Sequence, residues 1–465
     1  MKEHFYCYFS LLCLFVLLSA CIPISFAPPK EIHINSGDQV KQAVTAMDAA
    51  GRSHIAGVVN DRIVYYRTTF GEPEVKLTMT MGGAGVNWKQ YSPDIAVTNN
   101  GTAWLVWVEQ RGYLDKYACY QMLTLIPPTE GYDTGCHQLD SFAYTTGKVM
   151  VVANGGKAYA LYDRVAPVSL IGSLWYKDLT SPSNSLIAYS FIDNSETGVL
   201  YSWDAGIDSQ GYLHVAFLYN DSVGVPTSTN HLKYRSNRAT DLDGTMMQGW
   251  SIADSNMLET DTPISLDFYM NIAVETIAVA WVYESIGVDV ISVESCPTAG
   301  CGIKGSEIVT LPPAWEIVSI ISDVETVGIG TYLYLGFIGD NNPDADAQVY
   351  FVSDIYGTGA LAAISQDRPT SKFDLEAAKV DSRPESGYSI SFMALSWGET
   401  NFASVEYYTY GLGEVIRVHK PTCTSSLVSG DSASNGIYHA GVWEACSNTW
   451  FTTQAYLNQL PLIVK

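Results

Sequence analysis

A chain of 465 residues is long for one ordinary domain, so internal repeats must be sought before domains are counted. Apolar residues make up 47% and charged residues 16%, which excludes a disordered chain. The formal net charge of −23, with no basic run anywhere, sets aside nucleic acid and argues against an anionic membrane surface, because both are bound through Lys/Arg clusters.

The chain opens with Lys2 ahead of an apolar run from Phe5 to Ala20, the layout of a secretion signal. The run is short for a membrane span, and no stop-transfer pattern follows it. Its end, Leu18-Ser19-Ala20-Cys21, resembles the bacterial lipobox. The resemblance implies cleavage before Cys21 and lipid on its thiol, each buried methylene contributing about 0.8 kcal/mol of anchoring. Residue 22 is Ile rather than Asp, which by the same resemblance argues against retention in an inner membrane. The resemblance thus implies a lipoprotein signal peptide over residues 1–20. Residues 21–30, with Pro23, Pro28 and Pro29, are a tether. The expected location is extracytoplasmic, at the cell surface or outer membrane, with membrane contact through the anchor alone.

Six cysteines follow Cys21. An even number in an exported chain predicts disulfides, and local pairing gives Cys119–Cys136, Cys296–Cys301 and Cys423–Cys446. No CxxC or His spacing supports zinc.

From residue 31 onward one pattern recurs: an apolar strand, a tight turn with Gly, and a second apolar strand. Ala96 to Val108 about Asn99-Asn100-Gly101 is its clearest copy. Others centre on Gly51, Gly155, Gly211 and Gly436, with looser copies at 265–293, 317–351 and 377–408. The period is about 50–60 residues, and hardly any stretch shows a helical period, which fits propeller blades of four short strands. The expected fold is an all-β, single β-propeller over residues 31–465, of seven or eight four-stranded blades. Eight repeats are counted; seven remain if the first and last units share a blade.

Two sets of polar residues follow the repeat. His54, His214 and His439 each lie three residues after a turn Gly, a slot that Trp104 fills in the second copy. Equivalent positions on different blades are held apart, so these rings cannot share one zinc at about 2.0–2.1 Å. Glu109, Asp163 and Glu444 each fall eight residues after the turn Gly, with Glu284, Asp340 and Glu399 in similar places. Recurrence points to scaffold, and capping of turns is the expected role.

The run Ser92-Pro93-Asp94-Ile95-Ala96-Val97, then Gly101, then Leu105-Val106-Trp107, resembles repeats of the sialidase-like β-propeller superfamily. Tyr65-Tyr66-Arg67 and Lys233-Tyr234-Arg235 resemble its outer strand. The likeness covers most of the chain after the signal, and it implies fold rather than activity. The nearest copy of that superfamily's Ser-x-Asp-x-Gly-x-x-Trp box, Ser202 to Ser209, lacks the final Trp and falls in a strand. No catalytic residue is carried over.

Two stretches do not recur. Asp340, Asn342, Asp344 and Asp346 alternate oxygen ligands like the start of a calcium loop, but Ala345 replaces its Gly and Phe351 its Glu. A structural calcium is the only cofactor this suggests. The region 181–203 plus 236–262 offers Tyr201, Trp203, Asp241, Asp243 and Trp250 as a ligand loop, where aromatic faces beside acids suit sugar rings. HExxH, GxSxG and phosphate-binding loops are absent from the sequence. The expectation is a monomeric, lipid-anchored module that binds a protein or glycan. A glycan-active hydrolase or lyase and a purely structural envelope protein are the alternatives.

Overall fold

The structure, a computed structural model, describes residues 24–26, 30–33, 40–69, 72–81, 88–113, 115–123, 134–140, 145–165, 172–181, 190–191 and 199–220, and after residue 220 the strands given below. Side-chain surroundings are described mainly between residues 41 and 238.

Strands β1 (Ile24–Phe26) and β2 (Lys30–His33) come first. β3 (Val40–Met47), β4 (Arg52–Val59), β5 (Arg62–Thr69) and β6 (Glu72–Thr78) form the first sheet. The second holds β7 (Lys89–Val97), β8 (Ala103–Arg111), β9 (Asp115–Leu123) and β10 (His137–Gln138). The third holds β11 (Thr145–Asn154), β12 (Lys157–Val165), β13 (Gly172–Asp178) and β14 (Ser190–Phe191), and the fourth β15 (Val199–Ile207), β16 (Leu213–Asn220), β17 (Asn230–Thr240) and β18 (Met246–Ser251). The fifth holds β19 (Thr262–Asn271), β20 (Thr276–Ser285), β21 (Val288–Pro297) and β22 (Gly305–Val309). The sixth holds β23 (Glu316–Val327), β24 (Gly330–Asp340), β25 (Gln348–Val352) and β26 (Leu361–Ala363). The seventh holds β27 (Glu376–Val380), β28 (Phe392–Glu399), β29 (Ser404–Thr409) and β30 (Glu414–His419). The eighth holds β31 (Ser425–Ser432), β32 (Tyr438–Ala445) and β33 (Thr449–Leu457), with β1 and β2 both paired to β33.

Within the first seven sheets the strands run antiparallel in chain order, as short hairpins dictate, and in the eighth β1 and β2 add antiparallel to β33. The first strand of each sheet packs on the first strand of the next, and β31 packs on β3. The fold is an all-β propeller.

The apolar run of β8 explains why sheets pack on both sides. Leu105 and Trp107 join Val58, Ile63 and Tyr65 of the first sheet, while Trp104, Val106 and Val108 join Val149, Ala160 and Tyr162 of the third. Alternation along the strand serves two interfaces at once. Leu105, Val106 and Val108 are fully buried, each contributing roughly 1.5–3 kcal/mol on leaving water.

Within and just after the expected tether, residues 24–26 and 30–33 pair with the last strand. Ile24 to Phe26 pair with Leu457 to Ala455, and Lys30 and Glu31 pair with Thr452 and Phe451. Backbone pairing across the whole chain length is a non-local property, which proline content at 23, 28 and 29 does not reveal.

Cys119 and Cys136 form a disulfide, with Cα atoms 5.1 Å apart, that ties β9 to the segment before β10. The other two expected pairs lie outside the described side chains. Glu109 approaches both sulfurs, but a disulfide offers no thiolate to a metal.

Candidate functional site

The two ends of the sheets differ in chemistry. At one end, five-residue turns join first and second strands. In the first sheet Asp48 Oδ1 accepts the amides of Ala50 and Arg52, both at 2.9 Å, and in the fourth Asp208 Oδ1 accepts those of Gln210 and Tyr212 at 2.9 and 2.8 Å. Gly51, Gly101 and Gly211 adopt φ of 81°, 81° and 86°, which is why these turns carry Gly. In the second sheet Asn100 Oδ1 substitutes, accepting the Thr102 amide at 3.0 Å and the Thr98 hydroxyl at 2.6 Å.

The histidine slot completes this device. His54 Nε2 lies 3.3 Å from Asp48 Oδ2 and its Nδ1 lies 2.8 Å from the Tyr65 hydroxyl. His214 repeats the arrangement with Asp208 at 3.1 Å and Tyr234 at 2.5 Å. Burial would raise the Asp48 pKa, yet hydrogen bonds from His54 and Arg52 hold it down at about 2. Burial depresses the His54 imidazole, against the pull of Asp48. The ring is therefore neutral, donating from Nε2 to Asp48 and accepting at Nδ1 from Tyr65. These are scaffold clamps, and His439 lies outside the described side chains.

Of the recurring carboxylates, the side chains of Glu284, Asp340, Glu399 and Glu444 lie outside the described residues. Glu109 is fully buried, with Oε2 accepting from Gln90 Nε2 at 3.0 Å and Oε1 from Arg111 Nε at 2.7 Å. Asp163 is not its equivalent. Counted in the same way, the third sheet's turn holds four residues, 154–157, between the paired Ala153 and Ala158, one fewer than its neighbours' five. Counting from the glycine slips by one, and a one-residue slip exchanges the faces of a strand. Asp163 instead accepts the Lys148 amide at 3.2 Å.

Several expected ligand-binding residues are relocated or lie outside view. Trp203 belongs to β15 and is 1% exposed, packed with Tyr159, Leu161 and Phe217, while Lys148 Nζ sits 4.3 Å from its ring centroid. It is core, not ligand surface, because the strand period turns it toward the third sheet. Tyr201 falls in the register shift between Leu200 and Ser202, and Trp250 in β18; the side chains of both lie outside the described residues. Asp241 and Asp243 lie outside them entirely. Asp340 ends β24, and Asn342, Asp344 and Asp346 also lie outside the described residues.

Burial pushes the Asp94 pKa up to about 6, against the pull of the Val151 and Ile95 amides. Its oxygens accept those amides at 2.8 and 2.9 Å, so the carboxyl stitches β7 to β11.

At the opposite end, where second strands turn into third strands, one cluster departs from the repeat. Arg111 lies two residues after Glu109 on β8, and Tyr117 pairs with Glu109 from β9, so the period of 2 and the register set all three on one face. The Arg111 guanidinium carbon lies 4.7 Å from the Tyr117 ring centroid and 5.7 Å from that of Trp88. Its Nε is spent on Glu109, its side chain is 23% exposed, and Glu109 is its side-chain hydrogen-bond partner among the described residues. Gln110 Nε2 donates to the Gly112 carbonyl at 2.6 Å and steadies the turn, on which Tyr113 stands 83% exposed. On the other face of the sheet, where Lys89 pairs with Gln110, Lys89 Nζ lies 5.3 Å from the Tyr91 ring.

Composition did not point to this cluster, but alignment on the core tryptophan would have. Four residues after Trp107 comes Arg111; four after Trp281, Trp397 and Trp443 come Ser285, Asn401 and Ser447. The cation is a departure in an otherwise regular column. Chemically the cluster offers a planar N–H edge beside two rings, with an exposed phenol on the adjoining turn. That is equipment for holding an anion rather than for bond cleavage.

No protein-family model matches the chain, and no curated protein matches it. Among solved structures it is similar to the Dos1 propeller, at 12% identity and a TM-score of 0.49, over 93% of this chain and 96% of that one. It is also similar to an ulvan lyase of polysaccharide lyase family 25, at 10% identity and a TM-score of 0.47, over 78% and 90%. A third is the Trypanosoma rangeli sialidase, at 9% identity and a TM-score of 0.32, over 94% and 60%. Nothing about activity is taken from these likenesses.

Proposed function

We propose that the chain is a lipid-anchored, extracytoplasmic β-propeller of eight blades that binds a glycan or protein ligand and does not transform it. The eight sheets, each of four strand positions, and the contact of β31 with β3 support eight blades, the eighth closed by β1 and β2. The lipobox-like end of the leader, Leu18 to Cys21, supports the anchor. The observation that carries binding is the Arg111 cluster, the one polar group in the described residues that breaks the repeat while presenting unspent donors beside exposed aromatic surface.

The anchor is tested by labelling cells with a fatty-acid analogue. Cys21→Ser should abolish incorporation and release the protein; unchanged labelling refutes lipidation at that thiol. Binding is tested by presenting the purified propeller to a glycan array and to envelope proteins from the source cell. Turnover of any glycan on the panel would replace binding by hydrolase or lyase chemistry, and the absence of any ligand would leave the structural reading.

A further inference from the structure

We propose that the Arg111 edge, with Trp88, Tyr113 and Tyr117, is a subsite for a single sugar carboxylate, as on a terminal uronic acid. The inference rests on the binding reading above and names its ligand class.

Four observations lead there. Two rings lie against the guanidinium, Tyr117 at 4.7 Å and Trp88 at 5.7 Å from its carbon, which favours recognition through its N–H edge. Glu109 fixes the inner side of the group through Nε at 2.7 Å, and Gln90 in turn holds Glu109, so the outward donors are pre-set rather than floppy. A carboxylate matches such a planar edge with two parallel hydrogen bonds. Tyr113, 83% exposed on the adjoining turn, supplies a flat surface against which the C–H face of a sugar ring can lie.

The ligand's size and charge follow from the rest of the molecule. Tyr113 and Met122 are the large hydrophobics exposed among the described residues. A stable protein interface needs roughly 800 Å² on each side with an apolar core, and among the described residues Tyr113 is the one large hydrophobic exposed beside Arg111. A small ligand fits better than a protein face. The formal net charge of −23 repels a polyanion. An isolated carboxylate is attracted by Arg111 at contact, while charges beyond about 8–10 Å are screened at physiological salt. The site therefore favours one acidic sugar at a chain end over a continuous polyuronate.

The test uses the mature chain without its lipid and two pairs of probes. Methyl glucuronide is compared with methyl glucoside, and a disaccharide ending in galacturonate with its neutral counterpart, by calorimetry and ligand-observed NMR. The acidic member of each pair should bind at least about tenfold more tightly. Arg111→Met should remove that preference, and Tyr113→Ala should weaken both members of a pair about threefold while keeping it. Since Arg111 neutralises a buried carboxylate, Arg111→Lys is made alongside. It keeps the charge but loses the fork, so it should retain folding and lose most of the discrimination. Equal affinity for acidic and neutral sugars overturns the inference, as does binding that Arg111→Met leaves intact. Binding of a neutral glycan or a protein with Arg111 uninvolved overturns it too, while leaving the binding module standing. No ligand in any assay overturns both.

Discussion

His214 Nε2 lies 3.1 Å from Asp208 Oδ2, and neither side chain is exposed. The same pair of residue types, at the same spacing, occurs at His54 and Asp48 in the first sheet. One carboxylate caps two turn amides with one oxygen and orients a buried imidazole with the other. The imidazole then accepts from a tyrosine on the neighbouring strand. Asp208→Ala removes three hydrogen bonds and leaves buried donors unmet, so it should cost about 3 kcal/mol of stability. Thermal unfolding of Asp208→Ala indistinguishable from the parent would show that the clamp carries no weight. His214→Phe should cost less, since ring packing survives while the Tyr234 hydroxyl loses its acceptor.

The first-sheet clamp makes stability depend on pH in two windows. Burial depresses the folded-state pKa of His54 below its ordinary 6.5. The unfolded chain then binds the proton first, so stability falls as pH drops below about 6.5. Asp48 is depressed from 3.8 to about 2. Its contribution, of order 2 kcal/mol, is complete above about 4 and is lost as pH falls toward 2. His54→Phe should flatten the fall in unfolding temperature between pH 7 and pH 5. An equally steep profile in that variant would assign the dependence to other groups.

How much of this was legible in the sequence depends on the range of each interaction. The turns and strands at Gly51, Gly101 and Gly211 follow from local patterns, and the histidine slot was visible as a column. Its acidic partner was not, because Glu109 and Asp163 recur after the second strand while the capping Asp precedes the turn. The short turn at Gly155 added a slip that disguised which carboxylates were equivalent. Trp203 looked like loop surface because its neighbours do not repeat, yet strand alternation buries it. Arg111 was overlooked because a one-residue departure is visible only once the register is fixed.

Gly211 tests the packing between third and fourth sheets. It adopts φ of 86°, and a Cβ there would meet Lys157 Cγ at 2.9 Å. Gly211→Ala should cost about 1–2 kcal/mol, because a left-handed conformation penalises L residues even with room available. Gly112, at φ of 95°, has open space around it, so Gly112→Ala reports that backbone penalty without a clash. Adding Lys157→Ala to Gly211→Ala should recover only the excess over Gly112→Ala. Full recovery would mean that contact, not backbone strain, sets the cost.

The Cys119–Cys136 disulfide closes a loop with a sequence separation of 17. Removing it by a double Cys→Ala change should cost about 3 kcal/mol, the value for a loop of this size. Peptide mapping without reductant checks the pairing directly, and calorimetry checks the cost. A free thiol at either position in protein from an oxidising compartment would contradict the bond.

The closing sheet provides the sharpest test of the architecture. β33 pairs with β32 on one side and with β1 and β2 on the other, so the first residues of the folded chain cover an edge made by the last. An uncovered strand edge exposes unpaired amides and carbonyls and recruits other chains. A chain beginning at residue 34 should therefore unfold at lower temperature and associate through β33, whereas one beginning at residue 22 should not. Size-exclusion chromatography with light scattering reads the association, and calorimetry the stability. If both forms stay monomeric and unfold together, β1 and β2 are not structural. The eighth sheet would then be complete with three strands, and the residues after Cys21 would serve as a tether after all.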